Sequence, residues 1–435
     1  MASRRCACKP SAGKQNVADL TPTLVVVNAI SYLPNLKKDP VALLLFDLDD
    51  TLLGNEMNTF VPAYLQALAK RMSDVAEPTI LINTLLAATR KMVENQDPSK
   101  TLEQVFDAEF YPALGLSRQQ VQGSIDTFYA QDFPGLKVLT QIKPQAVDVV
   151  KRLVQRGDQT AVATNPLFPR TAILQRLNWA GLPEGNIPFV MIPSYETFHF
   201  TKPNPAYFAE FLAQLGWPKI PVIMVGNDVE SDIGAARRLG LPVFWMTEDG
   251  SQAWNGAGDI PPHGSFPDLI PWLDSSTIGP LPTSFSSPDA LLAILRSTPA
   301  ALATLFHLHT SNLARRPVPE EWSPGEVLCH LRDVDSEVNL ARLQKVLHED
   351  NPFLPGQDTD PWAEARQYFK QDGSQALLDF IDARLVILEL LEKISHEDWE
   401  RRARHAIFGP TNLRELVNII AGHDILHIQQ VFRAL

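Results

Sequence analysis

The sequence predicts two folded parts: an α/β domain built on a parallel sheet and, after it, an all-α four-helix bundle domain. Apolar runs such as Val41–Phe46 and Val222–Val225 are typical of buried parallel strands, and helical patterns alternate with them between residues 39 and 274. One long insertion, 54–141, has apolar residues only at helical spacing. From residue 288 onwards every apolar pattern is helical, which favours a bundle.

Composition narrows the class of protein. The chain has 435 residues, enough for two or three domains, and its 45% hydrophobic and 20% charged residues are typical of a soluble globular protein. A net charge of −12 disfavours a nucleic-acid or anionic-membrane partner, and no apolar stretch has the length of a membrane span. Three cysteines, Cys6, Cys8 and Cys329, form no disulfide framework, so we expect a cytoplasmic protein. Residues 1–38 match no complete targeting signal and are predicted to be a poorly ordered extension.

The first predicted strand ends in three carboxylates, Asp47, Asp49 and Asp50. Ligands of open α/β sheets bind beyond the carboxyl ends of the strands. Carboxylates in that position can bind a hard cation, and one of them can act as an oxygen nucleophile. This strand end is therefore the first candidate for an active site.

Two further strand ends carry groups suited to a phosphoryl substrate. The predicted strand Thr160–Thr164 ends in a hydroxyl and is followed by Asn165, and a hydroxyl beside free backbone N–H groups can hold a phosphoryl oxygen. The predicted strand Phe189–Pro193 is followed by Lys202, whose ammonium is a compact positive charge. Both sets of residues are expected at the same edge of the sheet.

The predicted strand Val222–Val225 supplies more carboxylates, Asp228 and Asp232, just beyond its end. A helix then follows, and Pro242–Met246 is predicted as the last strand of this domain.

These four motifs, in this order, resemble those of the haloacid dehalogenase-like superfamily, whose members are mostly phosphatases with a Rossmann-like sheet. The resemblance covers roughly residues 40–274 and implies that 54–141 is a cap that closes over the site. It implies that Asp47 is the nucleophile, that Asp49 is the general acid and base, and that Thr164, Asn165 and Lys202 bind phosphate. It also implies Mg²⁺ held by the Asp47 carboxylate, the Asp49 backbone carbonyl and the Asp228 carboxylate, with Asp232 acting through water or orienting the cluster.

Asp49 favours a phosphatase over a dehalogenase. In the family pattern, members that displace halide lack an acid two residues after the nucleophile, whereas Asp49 is present here. A sugar-phosphate mutase uses the same residues and stays open as an alternative. The expected substrate is a small phosphorylated metabolite.

The second domain follows a predicted linker, 275–287, that is rich in Gly, Pro and Ser. Ser287-Pro288 is a cap and first-position proline that opens a helix, which Pro299 is expected to kink or restart. A capping box opens a second helix at Ser323. Apolar patterns over 377–391 and from residue 411 predict the third and fourth helices.

Three histidines lie on the apolar stripes of these helices. His423 and His427 are one turn apart on the same face, and His330 shares a stripe with Val327. Imidazoles that point into a bundle need polar partners or a metal ion. A His with a His-x-x-x-His pair can hold a divalent transition metal and leave positions open for water or substrate. The alternative is a set of core histidines with ordinary hydrogen-bond partners.

The segments around Trp322, His330 and His423 resemble the DinB-like (YfiT-like) metalloenzymes over about 285–435. The resemblance implies Zn²⁺, Ni²⁺ or Fe²⁺ bound by the triad His330, His423 and His427. Asp333 and Asp424 are interpreted either as partners of these histidines or as exposed helix charges.

The leading hypothesis is a magnesium-dependent phosphatase fused to a metal-binding bundle. The alternative is a DinB-like thiol transferase, or a metal-binding sensor, with an auxiliary phosphatase or phosphomutase domain. A homodimer formed through the bundle is a further expectation.

Overall fold

The computed structural model describes residues 41–247, 253–280, 285–310 and 313–435. The predictions for 1–38, including Cys6 and Cys8, lie outside these ranges.

A five-stranded parallel sheet forms the centre of the first domain. The strands of this domain are β1 (Leu43–Phe46), β2 (Leu53–Gly54), β3 (Gln141–Ile142), β4 (Gln159–Val162), β5 (Val222–Gly226), β6 (Val243–Met246) and β7 (His263–Gly264). The sheet order is β4-β1-β5-β6-β7, so β1 lies between two parallel neighbours. In register, Leu44 pairs with Thr160 on one side and Ile223 on the other. Because β1 and β5 are wholly buried, their sequences are apolar throughout. The predicted fold class is confirmed.

One predicted strand is wrong. In 189–193, only Phe189 forms a bridge, to Thr160 on β4. The chain lies beside β4, where the Val190 N–H donates to Thr160 O at 2.9 Å and Met191 O accepts from the Val162 N–H at 3.0 Å, but no regular strand forms. Prolines at 188 and 193 remove backbone donors at both ends of the segment, which limits its pairing. The short strand β7 was not predicted.

The insertion is helical, as predicted. The helices of the first domain are α1 (Met57–Arg71), α2 (Pro78–Val93), α3 (Leu102–Leu114), α4 (Arg118–Thr127), α5 (Pro144–Arg156), α6 (Arg170–Trp179), α7 (Pro205–Gln214), α8 (Ala235–Leu239) and α9 (Phe266–Ser275). Helices α1 to α4, with a π-helical and a 3₁₀ segment over 128–139, form the cap. The antiparallel pair β2–β3, also not predicted, joins the two ends of this insertion.

The second part is a helical bundle with a small sheet. Its helices are α10 (Pro288–Leu308), α11 (Pro324–Val334), α12 (Leu340–His348), α13 (Trp362–Ala365), α14 (Gly373–Glu392) and α15 (Leu413–Ala434). Its strands are β8 (Phe353–Leu354), β9 (Arg402–His405) and β10 (Gly409–Asn412). A π-helical segment, Asp335–Asn339, joins α11 to α12, so the predicted second helix continues through both. The small sheet was not predicted.

Pro299 does not restart α10, which runs unbroken from Pro288 to Leu308, so this part of the prediction is wrong, and the kink stays a prediction. A proline has no N–H for the carbonyl four residues earlier, which here is Leu295. That carbonyl accepts a hydrogen bond from Arg384 Nη1 at 2.9 Å, supplied by α14. The neighbouring helix thus replaces the lost donor, and the helix continues.

The two parts pack directly on each other. Helix α10 lies against α7, and their buried apolar residues belong to one continuous core. Thr304 Oγ1 donates to Thr197 O at 3.1 Å, and Gln429 Nε2 donates to Trp217 O at 3.2 Å. Among the described helices, α10 alone has the length and mean hydropathy, 1.4, of a membrane span, and 78% of that stretch is buried in the protein. The exact domain limits stay a prediction.

Candidate active site and candidate metal centre

Lys202 lies between two buried carboxylates. Asp47 follows β1 directly, and its N–H donates to Val225 O at 3.0 Å, which holds it at the end of the sheet. Lys202 Nζ lies 2.8 Å from Asp47 Oδ1 and 2.6 Å from Asp232 Oδ1. The exposed fractions are 7% for Asp47, 4% for Lys202 and 1% for Asp232. The Lys202 ammonium therefore forms ion pairs with both carboxylates, and all three groups are buried.

The two carboxylates of Asp47 and Asp232 carry more negative charge than the single Lys202 ammonium can balance. Burial, followed by repulsion from Asp232, raises the pKa of Asp47 to about 7, and Lys202 offsets this only in part. Burial alone would lower the pKa of Lys202, but the two carboxylates raise it, so the ammonium stays charged. Two carboxylates and one ammonium, with hard oxygen donors, fit an additional cation such as Mg²⁺.

Asn165 holds the Lys202 loop, and Thr164 lies beside the end of β1. The Ala163 N–H donates to Phe46 O at 2.6 Å, which places Thr164 beside the Asp47 strand end. The Asn165 amide contacts the backbone of Lys202 twice: its Oδ1 accepts from the N–H at 2.9 Å, and its Nδ2 donates to the carbonyl at 3.2 Å. This pair of hydrogen bonds positions Lys202.

Asp49 is held by two side chains that the sequence interpretation missed. Arg176 Nη1 donates to Asp49 Oδ2 at 2.5 Å, and Asn55 Nδ2 donates to Asp49 Oδ1 at 2.7 Å. Arg176 and Asn55 are each only 1% exposed. Arg176 could have been noticed as a cation on the buried face of α6, next to Ile173 and Leu177. Asn55 gave no comparable signal.

Asp228 and Asp232 occupy different positions. Asp228 is exposed, and its Oδ1 accepts hydrogen bonds from the N–H groups of Glu230 and Ser231 at 3.0 and 2.6 Å. Asp232 is the buried residue that contacts Lys202, and its Oδ2 accepts the Asp228 N–H at 3.0 Å. Of these two residues, Asp232 is therefore the one that the structure ties to Asp47 through a shared lysine.

A cavity of about 910 Å³ opens at the same edge of the sheet. Its polar wall includes Thr51, Asn55 and Asn227, and the Thr51 hydroxyl donates to Asn227 Oδ1 at 2.9 Å. The strand pair β2–β3 at the base of the cap lines another side. A cavity of this size has room for a small metabolite, but Asp47, Asp49 and Lys202 are not among the residues that line it.

The three predicted histidines come together between α11 and α15. His423 Nε2 lies 3.1 Å from His330 Nε2 and 3.0 Å from His427 Nε2. Their ligand atoms all lie within 4.8 Å of one another, and within the described ranges this is the one such group of three or more His, Cys, Asp or Glu. The Trp322 ring is stacked on His427, with an interplanar angle of 5°.

The triad is uncharged at neutral pH. Burial and the neighbouring His427 lower the pKa of His330 to about 3, and burial lowers that of His427 to about 4. The pKa of His423 is also lowered, mainly by burial. His427 Nδ1 lies 3.0 Å from Gln430 Oε1, so a proton on Nδ1 leaves Nε2 free to coordinate. Three neutral imidazoles that converge through Nε2 fit a transition metal.

Neither interpretation of Asp333 and Asp424 holds. Both residues are buried, with exposed fractions of 5% and 0%, so they are not exposed helix charges. Asp424 accepts two hydrogen bonds from Arg384, and Asp333 accepts from Arg366 and Tyr368. In the described part of the chain, neither carboxylate is hydrogen-bonded to a triad histidine. They anchor arginines that hold the bundle together.

Comparisons with known proteins match both parts of the chain. The model of the haloacid dehalogenase-like hydrolase family matches residues 41–240, and that of the DinB superfamily matches residues 294–431. A haloacid dehalogenase-like phosphatase from Thermococcus onnurineus is 18% identical, covers 55% of this chain and 100% of its own, and has a TM-score of 0.36. A 2-haloacid dehalogenase from Pseudomonas syringae is 21% identical, with coverages of 54% and 98% and a TM-score of 0.40. YfiT from Bacillus subtilis, a four-helix bundle, is 20% identical, with coverages of 34% and 85% and a TM-score of 0.31.

Proposed function

Because residues 41–240 form a haloacid dehalogenase-like hydrolase domain and residues 294–431 a DinB superfamily domain, we propose that the first is a magnesium-dependent phosphatase and the second binds a transition metal. The phosphatase would act on a small phosphorylated metabolite through an aspartyl-phosphate intermediate. The observation that carries the first part is the Lys202 ammonium shared by Asp47 and Asp232.

Asp47 is the proposed nucleophile because it is buried at the strand end, directly beside a fixed positive charge. Its carboxylate oxygen would form a bond to phosphorus while the bond from phosphorus to the leaving oxygen breaks. Lys202 would stabilise the transferring group through its charge, and Thr164 would donate a hydrogen bond to a phosphoryl oxygen. Bound Mg²⁺ would supply further charge neutralisation on that group.

Asp49 is the proposed proton carrier. It would give a proton to the leaving oxygen and then take one from the water that attacks the aspartyl-phosphate, which returns Asp47 to its starting form. Asn55 and Arg176 donate to its two oxygens and so orient the carboxylate. A carboxyl group at this position is what favours phosphate release over halide release.

The test is hydrolysis of 4-nitrophenyl phosphate by the full chain with Mg²⁺. Asp47→Asn should lower the rate by about 10³-fold or more, because the amide cannot act as the nucleophile. Asp74→Asn, the same change at an exposed cap residue, is the matched control and should keep the rate. Retained turnover in Asp47→Asn, or halide release from 2-chloropropionate by the native chain, would contradict the proposal.

Metal binding by the bundle is the second proposed activity, and it rests on the convergence of His330, His423 and His427. The full chain purified without chelator should contain about one equivalent of zinc, nickel or iron, which His423→Ala should lose. His348→Ala changes an exposed histidine and should keep the metal. Equal metal content in all three proteins would exclude the triad. A thiol-transfer assay on the same samples tests the transferase alternative.

The expectations of a cytoplasmic location, of no nucleic-acid or membrane partner and of a homodimer through the bundle stay predictions.

A further inference from the structure

Arg176 is buried but has most of its hydrogen-bonding capacity unused. It is 1% exposed, and its Nη1 donates to Asp49. Its Nε and Nη2 are also buried, and neither has a hydrogen-bond partner among the described residues. Buried donors of a charged group are normally paired, because leaving them unpaired costs free energy. The described part of the protein therefore provides no acceptor for these two nitrogens.

The other arginine with less than 2% exposure shows the usual situation. Arg384 donates from all three nitrogens, to Asp335, Asp424 and the carbonyl of Leu295. Arg296 and Arg414 each have a buried Nε without a hydrogen-bond partner as well, but Arg176 has two such nitrogens, and of these three arginines it is the one that contacts Asp49.

The unused edge has the geometry that grips a carboxylate. The N–H groups on Nε and Nη2 of a guanidinium point the same way and match the two oxygens of a planar oxyanion. In this chain, Arg71 uses its Nε and Nη2 to hold both oxygens of Asp132, and Arg316 holds both oxygens of Glu326 in the same way. Arg176 offers the same fork with no acceptor in it.

Arg176 also lies between the reaction centre and the cap. Its guanidinium carbon is 4.6 Å from the centre of the Phe168 ring, and Phe168 packs edge-on against Tyr64 of the cap at 5.3 Å. Phe168 and Tyr64 line a mostly apolar cavity of about 180 Å³ between the cap and residues 167–169 of the core domain, and Arg176 contacts Phe168 but is not itself part of that lining. A substrate group that meets Arg176 would thus lie between Asp49 and the surface that the cap places over the site.

We propose that the Nε–Nη2 edge of Arg176 binds a carboxylate of the substrate, so that the preferred substrate is a phosphomonoester that also carries a carboxylate. This inference rests on the proposed phosphatase function and narrows its substrate class. The buried surroundings strengthen such a charge-assisted pair, because water competes little there. Arg176 is then a specificity residue, and it also orients Asp49.

The test compares two esters of equal size, 3-(phosphonooxy)propanoate and its primary amide, with the full chain and Mg²⁺. The native chain should hydrolyse the acid with a kcat/KM at least about tenfold higher than the amide. Arg176→Met should bring this ratio to about one while still releasing phosphate from the amide. Arg176→Lys keeps the charge but not the fork, and it should also lower the ratio.

The ratio separates substrate binding from the effect on Asp49. Asn55→Ala removes the other donor to Asp49 and should slow both esters equally, with the preference for the acid unchanged. A ratio near one in the native chain, or a preference that survives Arg176→Met, would overturn the inference.

A binding measurement distinguishes this inference from the phosphatase proposal. By calorimetry, 4-phosphonobutanoate should bind the native chain at least about tenfold more tightly than its amide, and Arg176→Met should bind both alike. Acid-selective binding without any phosphate release would reject the phosphatase and keep the carboxylate site. Phosphate release without a preference for the acid would reject the carboxylate site and keep the phosphatase.

Discussion

The two candidate sites differ in how their polar groups are compensated. In the first domain, Lys202 pairs with Asp47 and Asp232, and Arg176 pairs with Asp49, so most of the charge is balanced by the protein. In the bundle, three neutral imidazoles meet at 3.0 to 3.1 Å, and no described carboxylate is hydrogen-bonded to them.

This difference indicates what each site needs in order to stay assembled. Internal ion pairs hold the first site in place, and a cation would add to an arrangement that the protein already supports. The Nε2 atom of His423 lies within hydrogen-bond distance of two other Nε2 atoms, but one N–H can donate to only one of them, so the proposed transition metal would add more to the second site than Mg²⁺ to the first. Loss of a side chain should damage the first site most, and loss of metal the second.

The largest expected effect on stability is that of Lys202→Met. It leaves two buried carboxylates side by side without their ammonium, which should destabilise the first domain by about 3–5 kcal/mol. Phosphate release should also fall by about 10²–10³-fold, because a fixed charge at the transferring group is lost. Urea unfolding and the 4-nitrophenyl phosphate assay measure the two effects.

A second change checks the cause of the lost stability. Adding Asp232→Asn to Lys202→Met removes one of the two like charges and should recover part of the free energy of unfolding, without recovering activity. A double variant as unstable as the single one would show that Lys202 acts by packing and not by charge.

The sequence was sufficient to predict those structural features that depend only on the local pattern of residues. Apolar continuity predicted β1, so Asp47 fell at a strand end, and the four-residue spacing of His423 and His427 put both on one helix face. It was insufficient where a distant side chain decides. Arg176 meets Asp49 across 127 positions of sequence, and Pro299 is tolerated because Arg384 reaches its free carbonyl.

The same reason explains the error at Asp333 and Asp424. Acidic residues on a helix are usually exposed, and only the arrival of Arg366 and Arg384 from other segments makes their burial favourable. Asp232 follows the same logic, because Lys202 is what allows it to be buried beside Asp47.

Metal should stabilise the bundle more than the first domain. At 100 times its dissociation constant, Zn²⁺ should add about 2.7 kcal/mol to the free energy of unfolding of metal-free protein, because it binds only the folded triad. The gain should be absent in His423→Ala and present in His348→Ala. Equal stabilisation of all three proteins would mean that zinc binds elsewhere. Mg²⁺ at the same concentration should leave His423→Ala and the native chain equally stable.

Metal-free protein should also show a dependence of stability on pH. The folded-state pKa values of His330 and His427, about 3 and 4, lie below the value of about 6.5 for an unfolded histidine. The unfolded chain therefore binds more protons between these limits. Stability is complete above pH 6.5 and falls as the pH is lowered, by about 2 kcal/mol for each histidine at pH 5. His330→Gln should lose less stability between pH 7 and pH 5, as judged by urea unfolding, whereas His348→Gln should behave as the native chain.

The acidic site should act in the opposite direction. Burial raises the folded-state pKa of Asp47 to about 7, above its ordinary value, so here the folded chain binds more protons and gains stability as the pH falls from 7. The two contributions partly cancel in the native chain. Asp47→Asn removes the gain and should make the loss between pH 7 and pH 5 steeper, while His330→Gln makes it shallower. If both variants made the loss of stability steeper, or both made it shallower, the two sites would not contribute to the pH dependence with opposite signs.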